Sequence, residues 1–274
     1  MITVFTKPWY DPLDILAQKI AALGVDGVEL PIRPGYQVEP ETAVAELPRA
    51  VKILADHGLA IRSIAGPYNE RTIAVCAENS IPVIRIFAPI DPEIGFYKSL
   101  ERYRREFDAA VPWLDRYGVC IGIQPHAGPC IGSAAGLLHL VDRYDPRHIA
   151  IVPDMAHCAV AGEPSDLALD IAWPRMCGLV NFKATFQERI NGPEEIEARF
   201  RVRYTTARNS AYSWSGLIDL LNARGFDGDY CLTGQYSDPA GGPQLMGDCV
   251  NAYLLEDIAY LKSLLAKSSE GDRT

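Results

Sequence analysis

Two stretches of the chain, VCIGIQPH at residues 119–126 and IAIVPDMAH at residues 149–157, have the same construction. In each, a short apolar run rich in β-branched residues leads directly into polar side chains, and such runs predict buried strands. Buried strands that end in hydrogen-bonding groups are typical of parallel barrels, whose active sites lie at the carboxyl ends of the strands. The pair therefore predicts a fold class and the position of a site.

The alternation of apolar runs and amphipathic stretches continues along the whole chain, which predicts repeated β-α units. Eight units in about 260 residues predict an α/β fold, a single (β/α)8 TIM barrel over residues 1–267 with a disordered tail at 268–274. A doubly wound open sheet is the alternative, but no Gly-x-Gly-x-x-Gly turn follows the first strand. The predicted strands are Ile2–Thr6, Gly27–Leu30, Ala60–Ala65, Val83–Ala88, Cys120–Gln124, Ile149–Val152, Gly178–Asn181 and Asp229–Gly234.

The residues at the predicted helix boundaries are of types that cap or end helices. Gly118 falls between a helix and a strand, where a left-handed cap is needed, and Asn69 and Ser133 are placed to cap the helices that follow them. The longest irregular stretch, residues 187–214, predicts a lid or binding loop. A short extra helix over residues 194–203 is the alternative for its first half.

Composition limits the classes of function. The net charge of −9 argues against a nucleic-acid partner, which needs clustered Lys and Arg. No apolar run is long enough for a membrane helix, and the N-terminus reads as a strand, so we expect a cytoplasmic protein without a membrane partner. Seven irregularly spaced cysteines without a Cys-x-x-Cys pair favour reduced thiols.

Several side chains near the predicted strand ends suit a carbohydrate ligand. Trp9 and Tyr236 match the apolar faces of a sugar ring, although barrels also use aromatic residues simply for packing. Arg189 or Arg208, on the loop after the seventh strand, is a candidate for a phosphate or carboxylate on the ligand, with a solvated surface charge as the alternative.

The order of these motifs resembles the xylose isomerase-like TIM barrels, a family of sugar and sugar-phosphate isomerases and epimerases with an endonuclease branch. Residues 121–126, IGIQPH, resemble the fifth strand of the family, which normally reads Gly-x-Glu-x-His. Residues 153–157 resemble its Asp-x-x-His signature, Asn181-Phe182-Lys183 its His-x-Lys, and residues 230–235 its last strand, which usually ends in Glu. The endonuclease role is disfavoured because that branch needs more metal-binding residues than this chain supplies.

The resemblance implies a divalent cation, Mn or Mg, held by a Glu, an Asp, a His and a second Glu. The corresponding positions here are Gln124, Asp154, Asn181 and Gln235, and only Asp154 matches. Hard cations prefer anionic oxygen, and the three amides offer only neutral carbonyl oxygens. We therefore predict a degenerate metal site, with metal dependence weakened or lost and Asp154 as the principal ligand if a cation binds.

The family moves protons with its two glutamates, and glutamine has no proton to exchange near neutral pH. The predicted catalytic residues are accordingly His126, His157, Lys183 and Asp154. As alternatives, His157 only orients a hydroxyl, His126 is satisfied by the backbone, and Lys183 pairs structurally with Asp154. The predicted substrate-binding residues are Trp9, Glu29, Arg33, Gln124, Asn181, Arg208, Gln235 and Tyr236.

Two functions remain open from sequence. The first is an isomerase- or epimerase-like enzyme that moves a proton next to the carbonyl of a small polyhydroxylated substrate, by isomerisation, epimerisation or elimination. The second is a non-catalytic sugar-binding barrel, acting as a sensor or as a partner subunit. A homodimer is expected by analogy with similar barrels.

Overall fold

Strands and helices alternate in the computed structural model, which describes the backbone of residues 1–271 and the side chains of residues 1–267. The predicted tail at 268–274 lies outside the fully described residues. The strands are β1 Ile2–Phe5, β2 Gly27–Pro31, β3 Ala60–Ala65, β4 Val83–Phe87, β5 Cys120–Gln124, β6 Ile149–Ile151, β7 Leu179–Phe182, β8 Ala184–Arg189, β9 Phe200–Thr205 and β10 Asp229–Leu232. The helices are α1 Leu13–Ala22, α2 Ala43–Asp56, α3 Glu70–Glu78, α4 Gly95–Tyr117, α5 Ala134–Val141, α6 Met155–Val160, α7 Ser165–Ala172, α8 Trp214–Asn222 and α9 Asn251–Gly271.

Eight of the strands form one parallel sheet in the order β6-β5-β4-β3-β2-β1-β10-β7. The strands at its two edges, β6 and β7, come together where Asp154, just after β6, forms a parallel bridge with Asn181 of β7. The backbone amide of Asn181 donates to the carbonyl of Pro153 at 2.9 Å. This contact closes the ring and brings two of the predicted site residues together. The predicted eight-stranded α/β barrel is confirmed, and each of its strands begins and ends within two residues of its predicted bounds.

The predicted helix caps are also present. Asn69 accepts a hydrogen bond from the backbone amide of Thr72 at 3.1 Å, and Ser133 accepts one from Gly136 at 3.0 Å. Gly118 ends α4 with a φ of 68°, a left-handed conformation that glycine adopts without strain. These residues set where α3, α4 and α5 start or stop, and hence how the following strands enter the barrel.

The stretch after β7 forms an antiparallel hairpin of β8 and β9, paired from Ala184 opposite Thr205 to Arg189 opposite Phe200. The alternative prediction of a short helix over residues 194–203 is wrong. From Phe200 to Tyr204, apolar and arginine side chains alternate, a period of two that suits a strand rather than a helix.

Close packing fixes the centre of β5. A Cβ atom on Gly122 would lie 2.5 Å from the Val152 side chain, so only glycine fits between β5 and the end of β6.

Within the described part of the chain, no helix is long and apolar enough to cross a membrane.

Candidate active site

A cavity of about 220 Å³ opens at the carboxyl ends of the barrel strands, the position predicted from the sequence. Its wall combines cationic, amide and aromatic side chains with one histidine. The lining residues are Phe5, Lys7, Arg33, Arg85, Phe87, Gln124, His126, Lys183, Thr233 and Gln235.

A buried ion pair between Arg85 and Glu29 lies at one side of the cavity. Arg85 Nε is 2.8 Å from both carboxylate oxygens of Glu29, and Nη2 contacts Oε1 as well. Ser63 Oγ donates to Oε2 at 3.0 Å, so the carboxylate of Glu29, which is fully buried, is occupied by the protein itself. Charge-assisted contacts of this kind are strong, and Glu29 therefore holds Arg85 in place.

Gln124 connects this ion pair to the next carboxylate. Arg85 Nη1 donates to Gln124 Oε1, and Gln124 Nε2 donates to Asp154 Oδ2 at 2.5 Å. A side chain between a guanidinium and a carboxylate has to accept on one side and donate on the other, and an amide does both. An ionised glutamate at this position would only accept, and would face Asp154 with like charge.

Asp154 is fully buried and receives N–H donors on both carboxylate oxygens. Lys183 Nζ lies 3.1 Å from Oδ2, beside Gln124, and the backbone amide of His157 donates to Oδ1 at 3.2 Å. Burial by itself opposes ionisation, but Lys183 and the neighbouring donors lower the pKa of Asp154 overall. Burial lowers the pKa of Lys183, and Asp154 opposes that shift.

His157 is buried behind the cavity wall and both of its ring nitrogens are engaged. The Ala127 backbone amide donates to Nδ1 at 3.1 Å, and Nε2 lies 2.7 Å from Lys183 Nζ. Burial lowers the pKa of His157 to about 2, which keeps the ring neutral. His157 therefore positions Lys183 and has no free nitrogen for a ligand.

His126, in contrast, lines the cavity. Its Nδ1 lies 2.7 Å from the carbonyl of Ala127, which only accepts, so Nδ1 carries the proton and Nε2 is left as an acceptor. Its ring stacks on Phe87 with 4.8 Å between centroids and lies 4.3 Å from the ring of His157. Burial, followed by the nearby Lys183, lowers the pKa of His126, so the neutral form is favoured.

The structure brings most of the predicted site residues together. Arg33, Gln124, His126, Lys183 and Gln235 line the cavity. Glu29, Asp154, His157 and Asn181 lie directly behind them, fully buried. Neither the oxygen nor the nitrogen of the Asn181 amide has a hydrogen-bond partner in the described structure.

Three predicted site residues lie elsewhere. Trp9 is fully buried in the core. Tyr236 is also buried and donates its hydroxyl to Asp257 at 2.8 Å. Arg208 is 81% exposed and pairs with Glu256 at 2.8 Å.

Five further residues line the cavity that were not among the predicted catalytic or substrate-binding residues: Phe5, Lys7, Arg85, Phe87 and Thr233. The sequence does carry a signal for Arg85, because it is a single charge inside the apolar run VIRIF. A charge in a buried strand requires a partner, which here is Glu29.

These residues do not fit a divalent cation. Asp154 is the only carboxylate among the four corresponding positions, and its oxygens already accept from Gln124, Lys183 and a backbone amide. Nowhere in the described residues do three His, Cys, Asp or Glu side chains cluster as metal ligands.

Comparison with known proteins places the chain in a family. The profile described as xylose isomerase-like TIM barrel matches residues 17–247. No curated protein sequence shows significant similarity to the chain.

Similar solved structures include three with 14% sequence identity, a level that shows the fold alone. A D-psicose 3-epimerase crystallised in the presence of D-fructose has a TM-score of 0.70 over 96% of this chain and 99% of its own. A xylose isomerase domain protein from Planctomyces limnophilus has 0.71 over 98% of both chains. The probable 3-DHS dehydratase AsbF from Bacillus anthracis has 0.65 over 94% of this chain and 98% of its own. With the family profile covering most of its length, the chain belongs to the xylose isomerase-like TIM barrel family.

Proposed function

We propose that the protein is a sugar isomerase- or epimerase-like enzyme that moves a proton next to the carbonyl of a small polyhydroxylated substrate. The reaction is an isomerisation, an epimerisation or an elimination, and it does not depend on a tightly bound divalent cation. The observation that carries the proposal is the open Nε2 acceptor of His126 on the same small cavity as Lys183. The D-psicose 3-epimerase and the probable 3-DHS dehydratase among the similar structures support these reaction classes.

In the proposed reaction, His126 Nε2 removes the proton from the carbon beside the carbonyl. A positioned base of this kind contributes about 10²- to 10⁴-fold to a rate. Lys183 acts as the electrophile, donating a hydrogen bond to the oxygen on which negative charge develops. Asp154 and His157 keep the Lys183 amine in place through contacts of 3.1 and 2.7 Å.

Donors of the protein take the place of the cation in this scheme. Arg85 and Lys183 both reach the cavity and both are nearly fully buried, so their interactions are little screened by water. Both are also held by carboxylates, Glu29 and Asp154, which fixes them before substrate arrives. Preorganised donors of this kind stabilise a developing oxyanion without further reorganisation.

A non-catalytic sugar-binding barrel, acting as a sensor or partner subunit, is the second candidate. Its supporting observation is the amide of Asn181, which is buried and without a partner in the described structure. Gln235 lines the cavity and supplies an amide that binds hydroxyls and transfers no protons.

The two functions are separated by measuring solvent deuterium incorporation next to the carbonyl, using a panel of ketoses, ketose phosphates and sugar acids. We expect exchange in the wild-type protein, unchanged by EDTA, and a loss of at least about 100-fold in kcat for His126→Gln. The control is His139→Gln, which changes an exposed histidine. A ligand that raises the Tm without being exchanged or consumed favours the binding barrel, and loss of activity on chelation contradicts metal independence.

The protein's ligand class, oligomeric state and cellular location complete the proposal. The acidic net charge of −9 supports a small carbohydrate-like ligand over a nucleic acid. Homodimerisation and a cytoplasmic location stay predictions, and analytical ultracentrifugation tests the first.

A further inference from the structure

The charges around the cavity are not balanced. Four cationic side chains line it, and two of them lie against buried carboxylates, Arg85 on Glu29 and Lys183 on Asp154. The other two, Lys7 and Arg33, form no ion pair with any carboxylate in the described part of the chain. This surplus of positive charge occurs in a protein whose net charge is −9.

Lys7 and Arg33 are partly buried and not freely solvated. Arg33 lies over the ring of Phe5, with 5.5 Å from its Cζ to the centroid. Burial lowers the pKa of Lys7, and the cations Arg33, Lys183 and Arg85 lower it further. Keeping two like charges together in a partly desolvated place costs free energy, which a bound anion offsets.

The order of strands sets where such an anion would lie relative to the chemistry. Lys7 follows β1 and His126 follows β5, and these strands are four positions apart in a ring of eight, on opposite sides of the barrel. Arg33 follows β2, next to β1. A single ligand that spans the cavity therefore has one end near His126 and its other end near Lys7 and Arg33. Lys183 follows β7, two positions from β1 and two from β5, and so lies between these ends.

We propose that Lys7 and Arg33 form an anion subsite and that the substrate carries a carboxylate or phosphate group on the end remote from its reacting carbonyl. The inference rests on the proposed function and narrows it from polyhydroxylated carbonyl compounds to anionic ones. Arginine binds both anions through paired N–H donors, and lysine adds a point charge.

Three ligands that differ at one carbon test the substrate class. D-Fructose, D-fructuronate and D-fructose 6-phosphate share the keto end and carry a hydroxyl, a carboxylate or a phosphate at carbon 6. By isothermal titration calorimetry, we expect at least one anionic ligand to bind about tenfold or more tightly than D-fructose, with an advantage that shrinks at high salt. The tighter of the two anions identifies which group the subsite takes.

Variants test the residues. Lys7→Gln and Arg33→Gln should each weaken binding of the preferred anionic ligand, and of inorganic phosphate if that is the anion taken, by about tenfold. Binding of D-fructose should stay nearly unchanged. The matched control is Lys52→Gln, which removes an exposed charge on α2 paired with Asp56. Circular dichroism and the Tm confirm that each variant is folded.

The inference is overturned if neither anionic ligand binds more tightly than D-fructose, or if both glutamine variants bind the anion as the wild type does. Its failure is distinct from failure of the proposed function. Anion binding that depends on Lys7 and Arg33 without any turnover supports the subsite and contradicts the enzyme. Turnover of neutral ketoses that is indifferent to both variants supports the enzyme and contradicts the subsite.

Discussion

Breaking the buried pair of Glu29 and Arg85 should destabilise the barrel more than any exposed ion pair would. The perturbation is Glu29→Gln, which keeps the side-chain volume and removes the negative charge. Glu29 is fully buried and Arg85 is 4% exposed, so water cannot take over the role of the lost carboxylate. Arg85 is then left as a buried charge without its counter-ion.

Removal of one partner from a buried ion pair costs about 3–5 kcal/mol, whereas replacing both partners with neutral residues is often close to neutral. Against a total free energy of unfolding of roughly 5–15 kcal/mol, the single change is severe. The double variant Glu29→Gln with Arg85→Met should therefore be more stable than Glu29→Gln alone, by about 2 kcal/mol or more.

Equilibrium urea denaturation at pH 7 measures the effect. With an m value near 3 kcal/mol/M, the midpoint of Glu29→Gln should fall by roughly 1 M or more, and the double variant should recover much of that loss. As a matched control, Asp56→Asn breaks the exposed pair with Lys52 and should cost less than about 1 kcal/mol. Additive losses in the double variant, or a loss below about 1 kcal/mol for Glu29→Gln, would refute the reasoning.

Three further changes have expected outcomes. Gln124→Glu removes the N–H donor that Asp154 accepts from and adds a like charge beside it. Urea denaturation should therefore show a free energy of unfolding lower by about 1–3 kcal/mol. Unchanged stability would contradict the hydrogen-bond assignment. Adding Asn181→His and Gln235→Glu to that variant should create Mn²⁺ binding that calorimetry detects and that the wild type lacks. Equal Mn²⁺ binding by the triple variant and the wild type would show that the native residues hold the metal. Burial raises the pKa of Asp257 from 3.8 to about 6, so its contribution to stability is full below pH 4 and is lost as pH rises through 6. The free energy of unfolding of the wild type should fall by about 3 kcal/mol relative to Asp257→Asn between pH 4 and pH 7, and parallel pH curves would exclude this shift.

The sequence predicted the candidate site in part because barrel geometry sends strand ends to one place. Gln124, His126 and Lys183 were found from their positions after apolar runs, and all three line the cavity. Trp9 has the same kind of position after β1 but packs into the core, because the direction of a side chain after a strand depends on the turn that follows. Arg208, far along the hairpin connection, is placed by contacts with Glu256 on α9, which no local pattern shows.

The sequence by itself determined the number, order and bounds of the barrel strands, since the spacing of apolar residues and the helix caps are local properties of the chain. It also showed that Gln124, Asn181 and Gln235 stand where the family has metal ligands. Only the tertiary structure decided what those residues contact. The chain of contacts from Glu29 through Arg85, Gln124 and Asp154 to Lys183 joins residues that lie in, or directly follow, five different strands. It exists because closure of the barrel brings distant segments within hydrogen-bond reach. The tertiary structure likewise decided that Lys7 and Arg33 have no carboxylate partner within the described residues, since Glu29 and Asp154 contact Arg85 and Lys183.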